Sequence, residues 1–199
     1  MKLYSAPGSC SMAAHICLLE AGLDFSLVKL SLTGDRSLPD GRHLSDINPK
    51  GYVPVLELDN GEYLTENIAL LQYIADQNPA AQLAPANGTL ARYRLQEWLG
   101  FINSEVHKTL ALLFNPTFVQ QVRGAILDKF APRAAYLDKH LSQHDYLMGK
   151  QFTVADAYLY VVLGWSPHLA VDLAPYPKLQ AYLARIAARD SVKTVLAAH

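Results

Sequence analysis

Cysteine is scarce. The 199 residues hold two, Cys10 and Cys17, too few for a disulfide scaffold and in keeping with a reducing compartment. No paired-cysteine motif occurs, because Cys10-Ser11-Met12-Ala13 lacks a second thiol at the x-x-C position. That disfavours a dithiol redox cycle. Long apolar runs are missing as well. The longest, Ala157 to Gly164, falls far short of the roughly 18 residues of a membrane-spanning helix. Met1-Lys2-Leu3-Tyr4-Ser5 runs straight into a strand pattern, without the basic segment and apolar stretch of a secretory signal. A cytoplasmic protein without a membrane partner is expected. Net charge is −1, which gives no bulk attraction to nucleic acid or anionic lipid. Phosphate-binding glycine loops, basic aromatic stripes, repeats and low-complexity tracts are absent, so a nucleic-acid partner is not expected. His140 and His144 stand at i,i+4 but have no evident third ligand, so they read as surface residues and no metal is expected.

What is present suits a folded, two-part chain. Hydrophobic residues make up 51%, enough for a sizeable core. Residues 1–80 hold five Lys/Arg against ten Asp/Glu, and the remainder twelve against eight. Opposite signs on the two parts favour docking, subject to screening by salt. Leu3-Tyr4-Ser5 reads as a strand and Ala6-Pro7-Gly8-Ser9 as a turn. A helix follows with Met12, Ile16 and Leu19 on one face and Gly22 as its stop. Phe25 to Leu32 reads as a second strand, followed by a polar loop. Val55 to Leu58 and Glu62 to Leu64 form a hairpin about Asn60-Gly61. A helix from Glu66 to Gln77 ends at Asn78-Pro79. This β-α-β then β-β-α order is that of a thioredoxin-like α/β domain over 1–79. Residues 80–88 read as a linker, and 89–199 as an all-helical (all-α) domain. Its helices are expected over Thr89 to Leu113, Phe118 to His140, from Thr153 past the capping spacing of Thr153 and Asp156, and over Leu179 to Ala188 and Val192 to Ala198.

Four places carry chemistry. Cys10 lies between a turn and a helix, where unpaired N–H groups and the helix dipole favour a thiolate, the nucleophilic form; an apolar filler is the plain alternative. Cys17, two turns on, reads as core. Pro54 must occupy the first position of its strand. An ordinary strand-start proline is the plain alternative; in thioredoxin-like domains the proline at this place is cis, and with Cys10 upstream and a β-β-α unit downstream the same is expected here, leaving the backbone of Val53 open to pair with a peptide-like ligand. Thr65-Glu66-Asn67 begins a helix. It either caps that helix or holds a ligand carboxylate, with Glu66 free to pair with an ammonium group. His107-Lys108 lies on a polar flank with Asn103 and Ser104. A lone helical histidine is more often a surface or satisfied interior group; one facing the thiol there would stabilise its anion or hydrogen-bond a bound thiol.

Read together, these residues resemble the bacterial beta class of glutathione transferases. The resemblance rests on Pro7-Gly8-Ser9-Cys10-Ser11 with His15-Ile16, Asn48-Pro49-Lys50-Gly51-Tyr52-Val53-Pro54 and Leu64-Thr65-Glu66-Asn67. It continues through Glu97-Trp98-Leu99, Glu105-Val106-His107-Lys108 and Phe152-Thr153-Val154-Ala155-Asp156-Ala157-Tyr158. It implies a homodimer that joins glutathione, as co-substrate and without any cofactor, to a hydrophobic electrophilic small molecule. It implies catalytic roles for Cys10 and His107. Glutathione contacts would fall to Cys10, Ser11, Arg36, Tyr52, Val53, Pro54, Glu66, Asn67, Ser104, Glu105, His107 and Lys108. Phe114 and Trp165 would border the electrophile, and Thr153 with Asp156 would form a cap that serves folding. Gly100 stands where the family often has an asparagine, and Arg36 takes the place of a loop lysine. Two other uses remain open: glutathione-dependent thiol-disulfide exchange or peroxide reduction through Cys10, and a non-enzymatic binding or assembly role on the same fold.

Overall fold

The computed structural model describes residues 1–199, the side chain of Phe118 excepted. The first part contains β1 (Lys2–Ser5), α1 (Met12–Glu20), β2 (Ser26–Lys29), α2 (Leu44–Ile47), β3 (Val55–Glu57), β4 (Tyr63–Thr65) and α3 (Asn67–Gln77). Its sheet has the order β2-β1-β3-β4, with β2 parallel to β1 and the other pairs antiparallel. Side chains alternate across a strand. Leu3 and Leu56 therefore join the large core with α1 and α3, while Tyr4 and Val55 join a smaller one with Leu44 and Ile47 of α2. Both faces are covered, so β1 and β3 read as apolar runs.

One expected element changes length: the second strand stops at Lys29, because its partner β1 ends at Ser5. The hairpin loop is the expected Asp59-Asn60-Gly61. Gly61 donates to Leu58 O at 2.9 Å and takes a φ of 82°, while Leu58 N–H pairs with Glu62 O at 2.8 Å. Asp59, Asn60 and Gly61 thus form a three-residue loop, with Gly61 supplying the left-handed residue that only glycine adopts at little cost.

The second part is helical: α4 (Leu90–Phe101), α5 (Lys108–Ala111), α6 (Pro116–Leu141), α7 (Val154–Leu163), α8 (Pro177–Ala187) and α9 (Asp190–Ala198). A π-helical stretch, Ile102–His107, joins α4 to α5. Helix α6 is kinked at Val122, where φ is −133°. Helix α7 is buried along nearly its whole length and packs against α1, whose residues Met12 to Leu18 are also buried. That seam joins the two parts in a single core. No helix is long and apolar enough to cross a membrane among the described residues.

Asp156 anchors the start of α7. Fully buried, its carboxylate accepts from the backbone N–H and hydroxyl of Thr153, each at 2.8 Å, from Leu147 N–H at 2.8 Å and from the Tyr182 hydroxyl at 3.0 Å. Removing it strands four donors away from water, and each stranded group costs on the order of 1 kcal/mol or more. The variant Asp156→Ala is expected to lose about 3 kcal/mol or more in urea unfolding, with no loss of an active-site group. A loss below about 1 kcal/mol would contradict this role.

Candidate active site

A cavity of about 510 Å³ opens at the seam between the two parts. The first part supplies the turn from Pro7 to Cys10, the segment Gly51 to Pro54, Arg36, Glu66 and Asn67. The second supplies Asn103, His107, Lys108, Phe114, Tyr158 and Trp165.

The thiol of Cys10 is placed by a network of small hydroxyls. Ser11 is fully buried. Its Oγ accepts from Ala6 N–H at 3.0 Å and lies 2.8 Å from Ser5 Oγ and 2.5 Å from Ser9 Oγ. These bonds consume Ser11 behind the turn, so it does not line the cavity, contrary to the contact the resemblance implies. Helix α1 starts at Met12, with Ser11 and not Cys10 at its N-cap position. Cys10 Sγ instead points to Val53 O at 3.6 Å. Burial pushes the Cys10 thiol up to about 11, outweighing the backbone N–H and Lys108, which pull it down. Burial thus works against the thiolate that the helix start favours and holds Cys10 toward its protonated form. Cys17 is buried in the core, as its spacing suggests.

The Val53–Pro54 peptide bond is cis. Val53 N–H has no partner among the described residues. Asn67 Nδ2 donates to Cys10 O at 3.0 Å, and Asn67 Oδ1 is buried without a partner. Glu66 caps α3 with a φ of 69°, a left-handed conformation that a side chain of its size seldom adopts. Its carboxylate remains exposed and pairs with Lys50 Nζ at 2.5 Å. Arg36, also left-handed at 57°, donates to Gly51 O at 2.9 Å and Leu32 O at 3.3 Å and is held at the cavity edge. Tyr52 is 65% exposed at the mouth.

From the helical side, His107 Nδ1 lies 2.6 Å from the Tyr158 hydroxyl, which donates to Asn103 Oδ1 at 3.0 Å. Burial pulls His107 down to about 4, with Lys108 adding to the fall. His107 is thus neutral, not the imidazolium that would stabilise a thiolate, and none of its hydrogen bonds reaches Cys10. Trp165 Nε1 donates to Gly8 O at 2.8 Å across the seam, and its ring meets the edges of His107 at 5.0 Å and Phe114 at 5.3 Å.

Ser104 and Glu105 do not line this chain's cavity. Ser104 donates to Gly100 O at 2.9 Å, and Glu105 accepts from Arg133 Nη2 at 2.5 Å. Asn103 and His107, four apart, share a face in an α- or a π-helix; the wider turn of the π-helical stretch rotates Ser104 away from His107, while Glu105, two residues from His107, lies on the opposite side in either. Lys108 does reach the cavity edge. His140 rests against Trp98 at 4.7 Å and stacks on His144 at 4.3 Å. Among the described residues no group of three ligands could hold a metal. In the sequence Asn103 stands on the polar flank and Tyr158 within a helix that holds a second tyrosine, Tyr160, so its polar tip alone does not single it out.

A thioredoxin-like half, a single thiol facing the seam and a helical roof define a two-domain, monothiol protein. Residues 8–77 match the N-terminal domain of glutathione S-transferase, and residues 101–190 match its C-terminal domain. The chain belongs to the glutathione S-transferase family. It is 38% identical over 198 residues to glutathione S-transferase GstA of Escherichia coli O157:H7, covering 100% of this chain and 98% of that one. A sphingomonad glutathione S-transferase complexed with glutathione shares 48% identity and a TM-score of 0.95, covering 100% and 98% of the two chains. The bacterial beta class enzyme of Sphingomonas chungbukensis shares 46% identity and a TM-score of 0.94 over the same shares.

The protonated state of Cys10 has a direct consequence. Alkylation by iodoacetamide at pH 7 is expected to run at least about a hundredfold slower than for a free cysteine, and to rise with pH beyond 9 as the thiolate forms. Fast, pH-independent labelling at pH 7 would contradict the burial argument.

Proposed function

We propose that the protein conjugates reduced glutathione to hydrophobic electrophilic small molecules. The observation that carries this reading is the conjunction, in one cavity, of the Cys10 thiol, the unpaired Val53 N–H and the exposed Glu66 carboxylate. Glutathione is a peptide whose thiol lies between a charged γ-glutamyl end and a terminal carboxylate. Its cysteinyl unit pairs with Val53 as an added strand. Its ammonium meets Glu66, and its carboxylates meet Asn67 and the cations Arg36 and Lys108. The sulfur then lies beside Cys10, and the apolar remainder bounded by Phe114 and Trp165 takes the electrophile. Binding holds the two reactants together, so the S–C bond forms in an essentially unimolecular step. Neither a metal nor a prosthetic group enters the reaction.

A protonated Cys10 donates a hydrogen bond to the sulfur of glutathione and stabilises its thiolate. Thiol-disulfide exchange would need Cys10 itself as the anion, and its burial opposes that. The glutathione complex of the sphingomonad relative supports glutathione as the ligand. The homodimer is part of the same reading. Leu90 and Tyr93 on α4 are 71% and 60% exposed, an apolar face that a second copy would cover. Ser104 and Glu105, turned from their own cavity, are then available to the partner's. The two reduced cysteines favour a cytoplasmic location.

The decisive assay uses reduced glutathione with 1-chloro-2,4-dinitrobenzene. Turnover is expected in the wild type. Glu66→Gln should raise the KM for glutathione about tenfold with kcat changed less than about threefold, as for a binding contact. Cys10→Ala should lower kcat/KM about tenfold without abolishing conjugation. Absence of both glutathione binding and conjugation across a panel of aryl halides would overturn the reading. Sedimentation should give twice the 22.0 kDa chain mass, and a monomer at micromolar concentration would overturn the dimer.

A further inference from the structure

We propose that Tyr158 is a positioning residue that locks His107 in its Nδ1–H tautomer, so that the Nε2 atom accepts the thiol proton of bound glutathione. The proposal deepens the conjugation reading and takes glutathione as the ligand from it.

The assignment follows from counting protons. A phenol has one proton to give. The Tyr158 hydroxyl gives it to Asn103 Oδ1 at 3.0 Å. At 2.6 Å from the same oxygen, His107 Nδ1 must be the donor. In a neutral imidazole the other nitrogen is then an acceptor. Nε2 makes no hydrogen bond among the described residues, and the ring lines the cavity. The arrangement is rigid. Tyr158 is 1% exposed on the most enclosed helix, α7. Asn103 and His107 grip its hydroxyl from one face of the π-helical stretch, and the edge of Trp165 meets the imidazole at 5.0 Å. A π-helical turn within a long helix often marks a functional site.

The chemistry balances. The S–H bond of glutathione breaks, and its proton goes to His107 Nε2. The sulfur pair forms the S–C bond to the electrophilic carbon, and the leaving group departs with the electrons of its own bond. The imidazolium keeps its Nδ1 proton on the Tyr158 oxygen and then returns the Nε2 proton to water or the leaving group. Burial keeps His107 neutral before glutathione arrives. Once formed, the thiolate is the opposite charge that favours the imidazolium. The other groups that bear on the pair are Lys108, which opposes the positive ring, and Cys10, the Asn67 amide and Glu66 from the first domain, which act on the phenol.

Two measurements on the full-length protein test this, and neither needs an electrophile, so they stand apart from turnover. Nitrogen NMR of the wild-type His107 ring should show a protonated Nδ1 and an unprotonated Nε2. An Nε2–H tautomer would overturn the proposal. Thiolate absorbance of the glutathione complex against pH should show, in Tyr158→Phe, about a tenfold smaller thiolate fraction at pH 7, a shift of roughly one unit. Glutathione affinity should hold within about threefold, and Asn103→Ala should shift the titration the same way by a smaller amount. A titration unchanged in both variants, or a loss of affinity without a shift, would mean that Tyr158 only fills space.

Discussion

Helix α1 lies against α7, and the geometry of the cavity depends on that contact. The turn carrying Cys10 leads into α1, while Tyr158 lies on α7 and Trp165 just beyond its end. Each helix is buried on the side facing the other, within a core that runs through both domains. A shift of one against the other would move the thiol relative to the imidazole. The hydrogen bond from Trp165 to Gly8 O spans the same seam at its cavity end. Asp156 fixes the opposite end of α7 by tying it to Thr153, Leu147 and Tyr182. In this chain the Thr153–Asp156 cap and the cavity wall at Tyr158 lie on one helix, so the packing of α7 sets both in register.

The burial that makes the seam rigid also sets its electrostatics. Cys10 is pushed up and His107 pulled down, both chiefly by desolvation, so the two side chains favour their neutral forms. No ion pair is stored there. The charged groups Glu66, Arg36 and Lys108 stand toward the rim, where solvent reduces their cost. Charge therefore enters the interior with the ligand, and the site is built to receive a thiol and stabilise its anion. Under the proposed conjugation a resident thiolate would repel the glutathione anion, and a protonated Cys10 would not.

Much of this was legible in the sequence. Alternation and turn residues located β1, the hairpin and α3; the apolar spacing after residue 88 gave the helical half; Pro54 ahead of a strand and beside Cys10 pointed to the cis bond. What escaped was local backbone geometry and depth. The π-helical stretch has no signature in Ile102 to His107, so straight helical spacing grouped Ser104 with His107, while Glu105 entered through the resemblance alone. Cys10 was correctly placed near a helix start, but spacing could not reveal that Ser11 takes the cap or that burial outweighs the helix field. Ser11 itself, a polar residue next to the thiol, gave no sign that Ser5, Ser9 and Ala6 would use up its hydroxyl. Tyr158 looked like core because it is core, apart from one oxygen.

The most direct measurement is a crystal structure of the protein with reduced glutathione bound. The expected density places the cysteinyl backbone antiparallel to Val53, the sulfur within hydrogen-bonding reach of Cys10 and the γ-glutamyl ammonium at Glu66. Glutathione bound outside the seam cavity, or with its sulfur turned away from Cys10, would contradict the account.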